Sequence, residues 1–278
     1  MNNKKNKDHL KPNSIEKRTY QGARREALST DAEENLTVGR NAVRELLKSG
    51  REIDRILVCG RDAKIREIMS AAREKGVPVI DSDPSKLDRL CPGTAHQGVA
   101  AFAAVKAYAT VDDILDAAAK KNEKPLIVIA DGVEDPHNLG AIIRCAECAG
   151  AHGVIIPKRR AVGLTPTVAK ASAGAIEYMA VARVQNIPTL IEELKSKDVW
   201  TYAAEAGGSP YYETDFNSSA AIVFGSEGNG VSSLVKKRCD FIVSIPMYGH
   251  VNSLNVSTAA SVILCHAARM QRSGSGLI

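Results

Sequence analysis

The chain has 278 residues, 44% apolar and 25% charged, ordinary values for a protein with a buried core and length enough for two modest domains. No apolar run approaches the roughly 18 residues that a membrane span needs. The basic start MNNKKNKDHLKPNS has no apolar stretch behind it, so a secretory signal is excluded and a cytoplasmic location is expected. The net charge of +5 is uneven: residues 1–25 hold eight Lys/Arg against two Asp/Glu, and residues 37–106 hold thirteen against nine. The C-terminal part is nearly balanced. Basic segments suit a polyanionic partner, because each neutralised phosphate releases counterions, but a solvated face has the same composition.

Residues 1–36 are polar and charged with almost no apolar periodicity, and are read as a disordered basic arm. From residue 37 the pattern changes. VGRNAVRELLKSG has helical spacing and a stop at Gly50, DRILVCG reads as a strand, and DAKIREIMSAAREKG reads as a helix closed by Gly76. VPVI, SKLDRL and HQGVAAFAAV follow as strand, short helix and strand. Residues 37–106 are therefore expected to form a small α/β domain. Residues 107–123 hold a helix-like patch and are expected to be a linker.

A second domain, 124–278, opens on PLIVIAD, an apolar run typical of a buried parallel strand. Helix NLGAIIRCAECAGA, strand GVII, helix TPTVAKASAGA, strand MAVARV and helix IPTLIEELKSK follow. Strands VWTYAAE, AAIVFG and FIVSI come next, and a long helix runs from about residue 255 to 270. The expected fold is α/β, a parallel sheet flanked by helices. The six cysteines, with no signal before them, read as reduced thiols. Cys145 and Cys148 form a CxxC inside a helix rather than at its N-terminus. No second pair with zinc spacing exists, so core packing is the expectation and no metal is expected.

In an open parallel sheet, ligands bind at the carboxyl ends of the strands. Three polar loops fall at such ends. DGVEDPHNLGAIIR offers Asn138 as a helix cap and Arg144 six residues on. FGSEGNG offers Gly225, Gly228 and Gly230, which permit close backbone approach, with Glu227 between them. IPMYGHVNSLNVSTAAS offers Ser253, Asn255, Ser257 and Thr258 ahead of an apolar helix. Each loop alone has a bland alternative: a cap, a glycine turn, a second cap. His137 and His250 are read as structural members of these loops.

Together the loops match N-x-G-x-x-x-R (Asn138, Gly140, Arg144), F-G-x-E-x-x-G (Phe224, Gly225, Glu227, Gly230) and I-P-M-x-x-x-x-x-S-L-N-V-S-x-A (residues 245–259). This set resembles the three motifs of the SpoU (TrmH) family of SPOUT RNA 2′-O-ribose methyltransferases. The likeness is closest to the branch acting on guanosine in 23S ribosomal RNA. GRNAV through HQGVAA is similar to the ribosomal-protein-like substrate-binding domain found ahead of that catalytic domain. The resemblance implies a trefoil knot, a homodimer through the catalytic domain, and S-adenosylmethionine as methyl donor. It places Gly225, Ile245, Leu254 and Met247 at the donor, and Asn138, Arg144, Glu227, Ser253 and Asn255 at the reaction site. The expected partner is ribosomal RNA or a precursor particle, with no membrane. The alternatives are a transfer-RNA guanosine methyltransferase and a resistance-type enzyme acting on a ribosomal adenosine. Arg144, which an ordinary protein site does not deprotonate, is read as a fixed cation that grips a neighbouring phosphate and stabilises the developing alkoxide, oriented by Asn138, with Glu227 holding either Arg144 or a ribose hydroxyl.

Overall fold

The structure, a computed structural model, describes residues 35–273. The expected arm lies outside them, except that Leu36 already belongs to a strand. The N-terminal domain contains β1 (Leu36–Val38), α1 (Arg40–Lys48), β2 (Ile53–Val58), α2 (Ala63–Glu74), β3 (Val79–Asp81), α3 (Pro84–Leu90) and β4 (Val99–Ala103). Its sheet runs β1-β4-β2-β3, antiparallel except for the β2–β3 pair. Alternation along β2 sorts the faces. Ile56 and Val58 meet Val43, Leu47, Ile65 and Ile68 of α1 and α2, while Leu57 meets Leu87 of α3.

The C-terminal domain's elements are α4 (Val111–Lys120), β5 (Leu126–Asp131), α5 (Pro136–Cys148), β6 (Gly153–Pro157), α6 (Pro166–Ala171), α7 (Ala175–Tyr178), β7 (Val181–Val184), α8 (Ile187–Ser196), β8 (Trp200–Pro210), β9 (Ala220–Gly225), α9 (Ser233–Arg238), β10 (Phe241–Ser244) and α10 (Val256–Ser273). Six parallel strands lie in the order β10-β8-β9-β5-β6-β7. The run LIVIA in β5 is buried on both faces. Val128 and Ala130 pack toward α5 and α10, and Ile127 and Ile129 pack toward α4 and α8. Among the described residues no helix is long and apolar enough to cross a membrane.

Two features depart from the sequence reading. The stretch read as one helix over TPTVAKASAGA is two, α6 and α7, broken where Ala173 (φ 50°) and Gly174 (φ 89°) turn left-handed. Residues 107–123, expected to link the domains, contain α4, capped by a reciprocal Thr110–Asp113 box and carrying the fully buried Ile114 into the core of the C-terminal domain.

The two domains meet at a buried ion pair. Asp54 of β2 is 3% exposed and lies 3.3 Å from Arg183 of β7, which also donates to the carbonyls of Ile53 (3.3 Å) and Asp54 (3.0 Å). The Tyr108 hydroxyl donates to the Asp54 carboxylate and accepts from Leu164 N–H at 2.8 Å. Nearby, Lys106 Nζ donates to the carbonyls of Ile176, Glu177 and Met179, the last of these at 3.2 Å. Burial raises the Asp54 carboxyl above its usual range, although Tyr108 and the arginines pull it back. Removing one partner strands the other charge. Asp54→Ala is therefore expected to cost about 3–5 kcal/mol in urea unfolding, with Asp54→Asn costing less.

A second buried polar group gives a pH signature. His152 Nδ1 accepts from Leu126 N–H at 3.1 Å, and Nε2 faces Glu123 at 3.0 Å. Burial depresses its pKa from the ordinary 6.5, despite the nearby carboxylate. The folded state thus resists protonation more than the unfolded chain does. The stability from neutral His152 is whole above pH 6.5 and is lost as pH falls through the lowered value. Unfolding measured from pH 7.5 down to 5 is expected to show this decline, with a flatter profile for His152→Gln.

Candidate active site

The loops after β5, after β9 and between β10 and α10 converge at the carboxyl ends of the central strands, where Asp131 of β5 lies in register with Gly225 of β9. Asn138, expected to cap α5, does not. Asp135 does, accepting from His137 N–H at 2.7 Å, with Pro136 in the first turn. Relieved of that task, Asn138 is buried, and its Nδ2 donates to Glu227 Oε1 at 2.5 Å. Asn255 Nδ2 donates to both Asn138 Oδ1 (3.0 Å) and Glu227 Oε1 (2.8 Å). One residue from each motif thus enters a closed network.

Asn255 also caps α10. Its Oδ1 accepts from Ser257 N–H (2.8 Å), Ser257 Oγ (2.6 Å) and Thr258 N–H (3.4 Å). With the oxygen committed to helix donors, the amide nitrogen must face Glu227 and Asn138. The capping role and the site role read from the sequence are both real and mutually dependent.

Beside this network lies a cavity of about 520 Å³. Its walls include Gly225, Ile245, Met247 and Leu254, the four residues assigned to the donor, together with Glu227 and Ser253. Phe224, Val243, Val256 and Ile263 supply apolar surface, and the loop 226–230 supplies backbone. The size suits a small-molecule ligand, and the mix of apolar wall and backbone polar groups suits one with a flat ring and a charged tail. A β-carbon on Gly225 would stand 2.0 Å from Gly230 C and 2.1 Å from Val231 N, so glycine is required to let the loop fold back on β9. Gly140 serves packing instead: a β-carbon there would stand 2.5 Å from the Ala171 β-carbon, where α5 crosses α6.

Arg144 does not join the cluster. It lies two turns along α5 from Asn138, six residues at about 100° each and hence on another side of the helix. Its side chain is exposed. Asn138 and Glu227 bond each other and Asn255 rather than Arg144, which leaves the ribose hydroxyl as the other expected partner of Glu227. Cys145 is partly buried against Ser261 Oγ at 2.7 Å, whereas Cys148 is exposed and is no core residue. His137 and His250 are both exposed in their loops.

Sequence reasoning missed Glu205 of β8. It lines the donor cavity, accepts from Val231 N–H at 2.9 Å and sits 3.6 Å from Lys236. A residue in the run TYAAEA carries no motif signal; only the register of β8 beside β9 brings it to the site.

A cavity at the carboxyl edge of a parallel sheet, bordered by a polar network, stands where α/β enzymes bind their ligands. The chain belongs to the SpoU rRNA methylase family, whose model matches residues 125–265, and residues 36–109 match the RNA 2′-O ribose methyltransferase substrate-binding domain. It is 44% identical over 235 residues to YacO of Bacillus subtilis, a protein assigned to the TrmH family of tRNA/rRNA methyltransferases, covering 84% of this chain and 94% of YacO. The solved SpoU methyltransferase AviRb of Streptomyces viridochromogenes, in complex with the cofactor AdoMet, is 26% identical, with a TM-score of 0.55 over 86% of this chain and 90% of AviRb. The TrmH/SpoU tRNA-modifying enzyme of A. aeolicus is 29% identical, with a TM-score of 0.50 over 56% of this chain and 80% of its own. The chain is thus an RNA 2′-O-ribose methyltransferase that uses S-adenosylmethionine.

Gly225→Ala is expected to abolish measurable donor binding by calorimetry, because the added carbon must displace the backbone at Gly230 that walls the cavity. Far-ultraviolet dichroism should stay that of the folded protein.

Proposed function

We propose that this enzyme methylates the ribose 2′-hydroxyl of a guanosine in 23S ribosomal RNA, as free RNA or in a precursor particle, in the cytoplasm. The observation that carries the reading is the closed Asn138–Glu227–Asn255 network at the edge of the donor cavity. S-adenosylmethionine supplies an electrophilic methyl. The chain supplies position, which alone accounts for much of such a rate. Gly225, Ile245, Met247 and Leu254 would hold the donor. Both amides bond one oxygen of Glu227, which leaves the other to receive the ribose hydroxyl. Ser253, on the cavity wall, would shape the ribose pocket.

Arg144 acts as a fixed cation for the phosphate and the developing alkoxide. Exposed and apart from its own chain's cluster, it fits a homodimer through the catalytic domain in which it serves the second copy's site. The large exposed side chains of Tyr212, Tyr248 and Val251 near the donor loop support such an interface. The trefoil knot belongs to the same reading. The chain leaves β10 at the sheet edge and returns to place α10 against β9 and α5 near the sheet's centre. Ribosomal RNA is favoured over transfer RNA by the substrate-binding domain, since the tRNA-modifying relative matches too little of this chain to include both domains.

Mapping 2′-O-methyl sites in total RNA from a deletion strain tests the substrate. Loss of one guanosine methylation in 23S RNA is expected, and a loss confined to transfer RNA would move the enzyme to that class. Single-turnover methyl transfer tests Arg144. Arg144→Ala is expected to lose about 10²–10³ in rate with donor affinity unchanged. Arg144→Lys should retain a little activity, with no new titration near neutrality.

A further inference from the structure

The connection between β6 and α6 carries chemistry that neither the donor cavity nor the amide–carboxylate network uses. Residues 158–160 read Lys-Arg-Arg and leave the carboxyl end of β6, beside the loop after β5. Val162 N–H donates to the Val133 carbonyl at 3.0 Å and ties the two loops together. Against them opens a second cleft of about 300 Å³, with Arg159 and Arg160 on one side and Ser226, Asn229 and Gly230 on the other. Those last three residues also line the donor cavity, so one loop forms the partition between the two spaces.

Three features mark this as more than a solvated turn. Arg159 and Arg160 are exposed neighbours, and among the described residues no ion pair neutralises either. Two adjacent uncompensated guanidiniums repel each other and attract an anion. Arg160 also holds a left-handed backbone (φ 57°), which glycine would adopt without penalty. Lys158 reaches across the domain seam, its Nζ 3.2 Å from where a β-carbon on Gly76 would stand. Gly76 follows the end of α2, where exposed Arg73 and Lys75 flank Glu74 and form no ion pair among the described residues either. Positive charge therefore runs from the substrate-binding domain to the rim of the cleft. The cleft's one carboxylate, Asp131, accepts from Ser232 N–H at 3.0 Å.

We propose that loop 158–160 and its cleft seat a backbone phosphate of the RNA beside the target nucleotide, and so position the ribose against the donor cavity. Arginine suits this task because its planar fork grips phosphate with two parallel hydrogen bonds. The inference rests on the reading of RNA as substrate and adds the residues that hold it near the reacting ribose.

The test uses the full-length protein and an unmodified in-vitro transcript of 23S ribosomal RNA. For the double variant Arg159→Gln/Arg160→Gln, KM for RNA is expected to rise about tenfold and the slope of log affinity against log salt to fall by about 1, with donor affinity unchanged. Arg159→Lys/Arg160→Lys should recover the salt slope but only part of KM, since point charges remain without the fork. Arg160→Gly should weaken RNA binding while leaving thermal stability equal or higher, which a purely structural role cannot produce. A double Gln variant with unaltered KM and salt slope, beside a wild type that binds and methylates the transcript, overturns the assignment of this loop alone. A wild type that neither binds nor methylates RNA overturns it together with the substrate reading.

Discussion

One carboxylate oxygen, Oε1 of Glu227, collects amide hydrogens from two asparagines more than a hundred residues apart in sequence. The arrangement works only because every strand of the catalytic sheet points the same way. A parallel sheet brings all its strand ends, and the loops that follow them, to one edge. The motif loops after β5 and β9 are neighbours there because the strands are, and the third is drawn in by the return of α10 to the sheet's centre. Glu227 then has no freedom to turn toward Arg144, and Asn255 has none to flip, because its oxygen already caps a helix.

The seam between the domains obeys a different constraint. Asp54 and Arg183 are nearly sealed from water, and their attraction offsets part of a desolvation that still leaves the Asp54 carboxyl above its usual range. Arg183 also lies over the Tyr108 ring at 4.8 Å. These contacts join β2 of the N-terminal domain to β7 of the large sheet, and Lys158 lies beside Gly76 at the same seam.

Much of this was legible in the sequence, for reasons that can be named. The strands of the large sheet are continuous apolar runs, and Gly50 and Gly76 follow the helices they were expected to stop, both in left-handed backbone. Gly225, Ile245, Met247 and Leu254, the four residues expected at the donor, fall on one cavity because motif spacing fixes loop geometry. What escaped was set by packing. Asp135 took the cap that Asn138 was expected to provide. Gly140 is needed for a helix crossing that no local pattern shows. Glu205 reaches the cavity only through strand register. The isolation of Arg144 follows from helical phase, which its place in a linear motif conceals.

The placement of α4 changes where the catalytic unit begins. Ile114 presses so closely on Gly153 that a β-carbon on that glycine would stand 2.4 Å from the Ile114 side chain, and Ala109 bridges to Ala182 as an extra rung on β7. Residues 107–123 therefore add one rung at the sheet's edge and bury Ile114 against one of its faces. An excised catalytic fragment that started at β5 would carry a trench along β6 and a raw edge at β7, an invitation to strand-to-strand association. The stretch that sequence alone would discard as a tether thus serves the core of the second domain through Ile114.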